Sequence, residues 1–400
     1  MNRIDTLGAR FAGKLGHVGA SIKGSKTLAV TALANKLKAD GRDIVSLTAG
    51  EPDFRTPEIV AEAGVEAIRS GATRYTAAAG EPALRKAVAE VYSKRWGADL
   101  DACNVCASSG AKPLIYYLMC IFLDPGDKVL FPLPYWVSYE AMVKMCSGVP
   151  VPVSTRIENR LKLQADELDA AADGAKILLL NNPTNPTGAV YTRTELSGIA
   201  EVVRDRDLIV IADEIYEDLI YGGRSHESLY TVAPWMPERT VVVSGVSKSF
   251  AMTGWRMGYA IGDESVIEPL AKFQSQALSS PSQISQRAAL KAVTEAWDTV
   301  GKMRDAFAGR RDFVVERMRR IGLPFVEPEG AFYLFFDTGP VLERKGWSDG
   351  QEFCSHLLED VGLALIPGDA FGMDSWVRMS FAASQSELDE GFARLERFLA

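Results

Sequence analysis

The chain of 400 residues is longer than one compact core accommodates and suits two domains of unequal size. With 47% hydrophobic and 24% charged residues it can bury a large core, which excludes intrinsic disorder. A net charge of −8 opposes binding to nucleic acid or an anionic membrane surface, and no apolar run approaches the roughly 18–20 residues that span a bilayer.

Residues 1–25 carry Arg3, Arg10 and Lys14 but no continuous apolar stretch. They read as an N-terminal arm, not a secretory signal. A helix is expected from Thr27 to Asp40, closed by Gly41. Cys103 and Cys106 form a lone C-x-x-C, read here as the end of a buried strand because a zinc site needs four ligands at set spacings. The five cysteines are an odd number at low density, which argues against a disulfide framework and fits a reducing cytoplasm. The three histidines, at 17, 226 and 356, share no local ligand spacing, so no metal site is expected.

The middle of the chain alternates short apolar runs with helical patterns. The runs are Lys128–Pro132, Lys176–Asn181, Leu208–Asp213, Thr240–Ser244 and Gly258–Ile261. Each is apolar on both faces, as in a parallel sheet buried under helices. Arg193–Asp205 reads as one of the intervening helices, with Thr192 and Glu195 as its capping box. After residue 298 come a long charged helix through Arg320, short strands at Ala331–Phe336 and Trp376–Phe381, and helices at Gly350–Val361 and Ser386–Leu399. The expected fold is α/β: a large domain (58–298) with a mostly parallel sheet between helices, and a smaller α+β domain from both chain ends (26–57 and 299–400).

Ligands of open α/β sheets bind outside the carboxyl ends of the strands, and four such ends here carry polar residues. They are Ser108-Ser-Gly110-Ala111-Lys112, Asn181-Asn-Pro-Thr-Asn185, Asp213-Glu-Ile-Tyr216 and Ser244-Gly-Val-Ser247-Lys248. Lys248 follows a Val-Val-Val strand, with Arg256 shortly after it. Desolvation and a fixed positive charge both lower a lysine's pKa and make its amine a nucleophile. Asp213 ends the strand Leu208-Ile-Val-Ile-Ala, where a carboxylate is costly to bury without a cationic partner. Two readings of it stand side by side, a structural cap or salt bridge and a partner for a protonated ring nitrogen. Ser109-Gly110-Ala111 enters a helix, where free N–H groups can seat a phosphate.

These residues resemble the class I/II aminotransferases, the fold type I enzymes that use pyridoxal phosphate. The segment Gly245-Val-Ser-Lys248-Ser-Phe-Ala-Met-Thr-Gly-Trp-Arg256-Met-Gly is similar to the family's lysine signature. The likeness continues through Ala49–Phe54, Arg74–Thr76, Pro134–Tyr139, Asn182–Tyr191, Gly330–Tyr333 and Arg378–Phe381. The nearest pattern is the aspartate aminotransferase branch of bacteria and archaea, which includes aspartate/prephenate enzymes.

The resemblance implies a ping-pong transamination in which Lys248 forms the Schiff base with the cofactor and shuttles the substrate's proton. It gives Asp213 to the pyridine N–H, Tyr216 and Asn185 to the ring's 3-oxygen, and Trp136 to the ring face. Gly110, Ala111, Lys112, Ser247 and Arg256 fall around the phosphate. Tyr75 would reach the phosphate of a neighbouring subunit, implying a homodimer with shared sites. Arg378 would grip the substrate's α-carboxylate, backed by Gly50, with Trp136 and Asn185 alongside. Lys112, together with Ser25 and Thr27 from a partner's N-terminal segment and Lys23 close by, would favour a dicarboxylic substrate such as aspartate or glutamate, with prephenate or a lyase reaction as the alternatives. One departure is Gly245, where many relatives carry a phosphate-contacting serine; its backbone or Ser247 is expected to serve instead.

Overall fold

The computed structural model describes residues 14–400. Arg3 and Arg10 of the arm lie outside the described residues. In chain order the strands are β1 (Val45–Ser46), β2 (Val105–Ser108), β3 (Lys128–Leu133), β4 (Val149–Ser154), β5 (Ala175–Asn181), β6 (Ile209–Asp213), β7 (Thr240–Gly245) and β8 (Gly258–Ile261). They continue with β9 (Phe325–Val326), β10 (Tyr333–Asp337), β11 (Leu363–Ala364), β12 (Ile366–Pro367) and β13 (Trp376–Ser380).

Seven of them form one sheet in the order β2-β8-β7-β6-β5-β3-β4. Its central strands are apolar on both faces, and alternate residues enter different cores. Ile177, Leu179, Ile211, Val241 and Val243 pack on one side, while Leu178, Leu180, Val210, Ala212 and Val242 pack on the other. Helices supply the crossovers between β3, β4, β5 and β6, whereas β6 reaches its parallel neighbour β7 through a long connection that holds only the short turn Leu229–Thr231. Arg193–Asp205 joins β5 to β6 and opens on the expected capping box: the Thr192 N–H donates to the Glu195 carboxylate at 2.8 Å, and the Thr192 hydroxyl accepts from the Glu195 N–H.

Two strands depart from the sequence expectation. β8 runs antiparallel to both β2 and β7. Its connection to β7 holds only a one-turn helix (Val246–Ser249) and the turn Thr253–Trp255, so the chain doubles back. β4, with the sequence Val-Pro-Val-Pro-Val-Ser, is absent from the expected runs. Its prolines lack the N–H of a central strand, which suits the sheet edge it occupies.

The chain ends meet. β1 pairs in parallel with β11, and β12-β13-β10-β9 form an antiparallel sheet. Leu47 shares a core with Phe307, Phe332, Phe336, Leu357, Phe381 and Phe392. The first long helix spans Lys26–Ala39, and Gly41 follows at φ +86°, a left-handed conformation that glycine adopts freely. The later helices lie at Trp297–Ile321, Gly350–Val361 and Gln385–Leu399. No helix among the described residues is long and apolar enough to cross a membrane.

This topology positions the site. Because β2, β3, β5, β6 and β7 run the same way, their carboxyl ends share one edge of the sheet, and β8 starts there. Ser108, Asn181, Asp213 and Gly245 are thereby gathered with Arg256, which lies just before β8.

Candidate active site

A cleft of about 480 Å³ opens at that edge, within the size range of small-molecule sites. It brings together Gly50, Ala111, Lys112, Trp136, Asn185, Asp213, Tyr216, Ser247, Lys248, Arg256 and Arg378, residues spread along nearly the whole chain. Ser25 and Thr27, expected from a partner's segment, line the same cleft from within this chain, and their hydroxyls hydrogen-bond at 2.9 Å. Lys23 is not among the lining residues. Tyr75 lies elsewhere and is 88% exposed.

Lys248 sits in the one-turn helix after β7, and its Nζ donates to the Gly50 carbonyl at 2.5 Å. The side chain is partly exposed because the amine faces the cleft, yet protein encloses it on the remaining sides. That enclosure is the main reason its pKa falls to about 8; Arg256 and Arg378 add to the fall, while Glu51 and Asp213 oppose it. About a tenth of the amine is therefore unprotonated at pH 7, far more than for an ordinary lysine.

Asp213 ends β6 and is 4% exposed. Its Oδ2 accepts from Tyr139 Oη at 2.6 Å, and its Oδ1 accepts only a long bond, 3.4 Å, from the Ile215 N–H. It makes no ion pair among the described residues. Burial raises its pKa to about 6 despite the bond from Tyr139. The salt-bridge reading thus has no support. The carboxylate is a dry acid with one oxygen only weakly engaged and able to meet a cationic donor.

Arg378, on β13, is the complementary case. It is 3% exposed and forms no ion pair among the described residues. Its guanidinium donates to Asn185 Oδ1 at 3.0 Å and to the Thr48 carbonyl at 3.2 Å, and lies 4.3 Å from the Tyr333 ring centroid. Its Nε is buried without a partner. A buried arginine with an idle donor is built to meet a carboxylate. Tyr216 Oη meets Tyr333 Oη at 2.9 Å, and Asn181 holds the Asn185 backbone through a 2.7 Å bond.

The helix Ala111–Phe122 begins at the cleft with no side-chain cap, leaving its first N–H groups open. Its N-cap, Gly110, has φ +105°, and a Cβ there would lie 2.4 Å from an Arg256 nitrogen. The backbone conformation favours glycine there, and the end of the Arg256 side chain leans over it. Gly245 is equally constrained, since a Cβ would meet Gly258 Cα at 2.7 Å and the Met257 carbonyl at 2.9 Å. The backbone of β8 occupies the space a serine side chain would need, and Ser247 is the hydroxyl that lines the cleft. Lys112 lies over the Trp136 ring at 4.6 Å, its pKa lowered by burial and by Arg256.

Sequence reading assigned no role to Tyr139 or Tyr333, although both lie within the motifs that carried the resemblance. It also missed a buried polar cluster behind Asp213. Glu214, Glu217 and His226 place ligand-type atoms within 4.8 Å of one another, a grouping that local histidine spacing could not reveal. These groups are engaged internally. Glu214 binds His226 at 2.8 Å and Ser228 at 2.7 Å, while Glu217 accepts from Tyr92, from Ser244 at 2.6 Å and from Arg95 at 3.0 Å.

The donor set fits pyridoxal phosphate. A lysine near pKa 8 suits its aldehyde, a buried carboxylate lacking a cation suits its ring nitrogen, and an uncapped helix start beside Arg256 suits its phosphate. A family model for aminotransferase class I and II matches residues 42–395. The chain belongs to that family. It is an enzyme that transfers amino groups between amino acids and 2-oxo acids with pyridoxal phosphate as cofactor. Its family relatives include an aspartate aminotransferase from Bacillus sp. (strain YM-2), 39% identical over 377 residues that cover 94% of this chain and 96% of the relative. An aspartate/prephenate aminotransferase from Cereibacter sphaeroides is 38% identical over 389 residues, 95% of this chain and 97% of the relative. Among solved structures, the aspartate aminotransferase of Thermus thermophilus with maleate superposes with a TM-score of 0.91 at 39% identity, covering 96% of this chain and 99% of that one.

Proposed function

We propose that this aminotransferase acts on a dicarboxylic amino acid, aspartate or glutamate, with 2-oxoglutarate or oxaloacetate as the alternating partner. The observation that carries this reading is a pair of cations, Arg378 and Lys112, that line one cleft and form no ion pair among the described residues. Arg378 takes the α-carboxylate with two donors, backed by Gly50. Lys112, flanked by Ser25 and Thr27, takes the distal carboxylate. Prephenate also carries a second carboxylate, and a family relative is named for both substrates, so it stands as a second reading.

When bound, pyridoxal phosphate supplies an electron sink for the substrate's Cα. The chain does the rest. Lys248 would hold the cofactor covalently and, as a free amine, would carry the proton removed from the substrate's Cα. Asp213 holds the proton on the ring nitrogen. Tyr216 and Asn185 orient the ring's 3-oxygen, and Trp136 covers the ring face. Gly110, Ala111, Lys112, Ser247 and Arg256 surround the phosphate. Tyr75, standing out in solvent, is assigned to the phosphate of a second subunit in a homodimer. Residues 26–57 and 299–400 act as one small domain against 58–298, with 1–25 as the arm. Five free cysteines suit a cytoplasmic setting.

The test is to incubate the holoenzyme with aspartate and 2-oxoglutarate and follow glutamate. Glutamate formation that falls in Lys112→Ala much further for aspartate than for alanine is expected. Release of pyruvate with ammonia or sulfide from other substrates, without glutamate, would contradict the reading.

A further inference from the structure

Outside the cleft, one pair of reactive groups has no part in the chemistry described above. Cys120 lies in the last turn of the helix Ala111–Phe122, and Cys146 caps the end of the helix Ser138–Met145. Their sulfurs are 3.4 Å apart, both side chains are partly exposed, and both thiols are free. We propose that Cys120 and Cys146 are an oxidation site, a thiol pair that peroxides convert reversibly into a disulfide. The bridge joins the far ends of two helices that start at the cleft.

The distance is the first support. A disulfide needs the sulfurs at about 2.05 Å, so they must close by about 1.4 Å. The two cysteines sit on separate elements, each at the end of a helix, and both side chains are partly exposed. The second support is chemical. The contact with Cys146, aided by Tyr116, pulls the Cys120 thiol down to about 7, and the same contact pushes Cys146 up. The contact thus favours one thiolate in the pair, and the bridge forms by the same chemistry whichever sulfur attacks first. The remaining cysteines lack this arrangement: Cys106 and Cys354 are buried, with burial pushing both thiols up, and Cys103 has no sulfur neighbour among the described residues.

The step balances with a peroxide as the oxidant. With Cys120 first, its thiolate attacks a peroxide oxygen, the O–O bond breaks, and the departing oxygen leaves as water after taking a proton. Sulfur loses two electrons and becomes a sulfenic acid. The Cys146 sulfur then attacks Cys120 Sγ, the S–O bond breaks, and a second water leaves with the thiol proton. A dithiol reductant reverses the bridge.

The effect on turnover follows from where the helices begin. The first helix carries Ala111 and Lys112, and the second carries Tyr139, the donor to Asp213, just after Trp136. This coupling rests on the cofactor reading given above, whereas formation of the bridge does not.

The experiment treats the purified holoenzyme with hydrogen peroxide and maps its peptides without reduction. Expected are the loss of two thiols, a peptide joining Cys120 to Cys146, and at least a twofold fall in turnover that dithiothreitol restores. Cys146→Ser should instead leave a sulfenic acid on Cys120 that dimedone traps, and Cys103→Ser should behave as wild type. A bridge between other cysteines, or thiol loss unchanged in Cys120→Ser, would overturn the site. A mapped Cys120–Cys146 bridge with unaltered turnover would overturn the coupling.

Discussion

Tyr139 donates to Asp213 at 2.6 Å across a contact that water does not reach. Burial and the neighbouring carboxylate push the Tyr139 hydroxyl well above the ordinary tyrosine range, so it remains a donor at every working pH. The bond occupies Oδ2 and leaves Oδ1 with only the long bond from the Ile215 N–H. The Tyr139 ring is held edge-on to Trp136, with centroids 5.3 Å apart and planes at 86°, so one packed unit orients both the acid and the aromatic wall.

Replacing Tyr139 with Phe keeps that packing and removes the donor. A buried carboxylate that loses a hydrogen bond is weakened by about 1–3 kcal/mol, so pyridoxal phosphate should dissociate about tenfold more readily or worse. Equilibrium dialysis of the cofactor measures this. In an Asp213→Asn background the same change should have little further effect, because the partner it serves is gone.

The pKa of Asp213 makes a prediction about the apoprotein. Its folded-state value of about 6 lies above the ordinary 3.8, so folding takes up a proton between those values. The stability this group contributes is present below the ordinary carboxylate pKa and is lost as pH rises through about 6. The ionised form therefore costs the apoprotein roughly 3 kcal/mol at neutral pH. Apo Asp213→Asn should unfold at a higher temperature than wild-type apoprotein at about pH 7.5, with the gap closing towards about pH 4.5. The same variant should bind pyridoxal phosphate less tightly.

Arg378 should resist conservative exchange. Lysine carries the charge but not the planar fork, and its shorter polar reach leaves Asn185 and the Thr48 carbonyl without their donor. Arg378→Lys should raise KM for the amino donor about 10–100-fold, the loss of one or two charge-assisted bonds. Cofactor retention should stay near wild type, which substrate titration of the bound cofactor's absorbance would verify.

Gly245→Ser tests whether a hydroxyl can be restored where many relatives carry one. Here the added Cβ meets the backbone of β8, which has no flexible end to move aside. The variant should lose about 1–3 kcal/mol of stability and gain no cofactor affinity, as thermal unfolding and dialysis would show.

Much of this was legible in the sequence for definite reasons. β5, β6 and β7 stood out because both faces are apolar, and Asp213 and Lys248 because a charge directly follows such a strand. Arg256 was correctly expected to press on the Lys248 amine. Arg378 adds to that pressure from the far end of the chain, which only the tertiary fold could reveal. Tyr139 was hidden because an aromatic residue beyond a strand reads as core, and its hydroxyl's partner lies far away in sequence. β4 was hidden by its prolines. Ser25 and Thr27 were assigned to a partner subunit, whereas the helix Lys26–Ala39 places them over this chain's own cleft.

One amine, Lys248 Nζ, is expected to carry the cofactor opposite Asp213. Reducing the holoenzyme with borohydride and mapping the pyridoxyl group by peptide mass spectrometry tests it most directly. A stable pyridoxyl group is expected on Lys248, absent in Lys248→Ala, a variant that should also fold normally and retain less than a few per cent of turnover. A pyridoxyl group on Lys112 or any other lysine, or substantial turnover without Lys248, would contradict it.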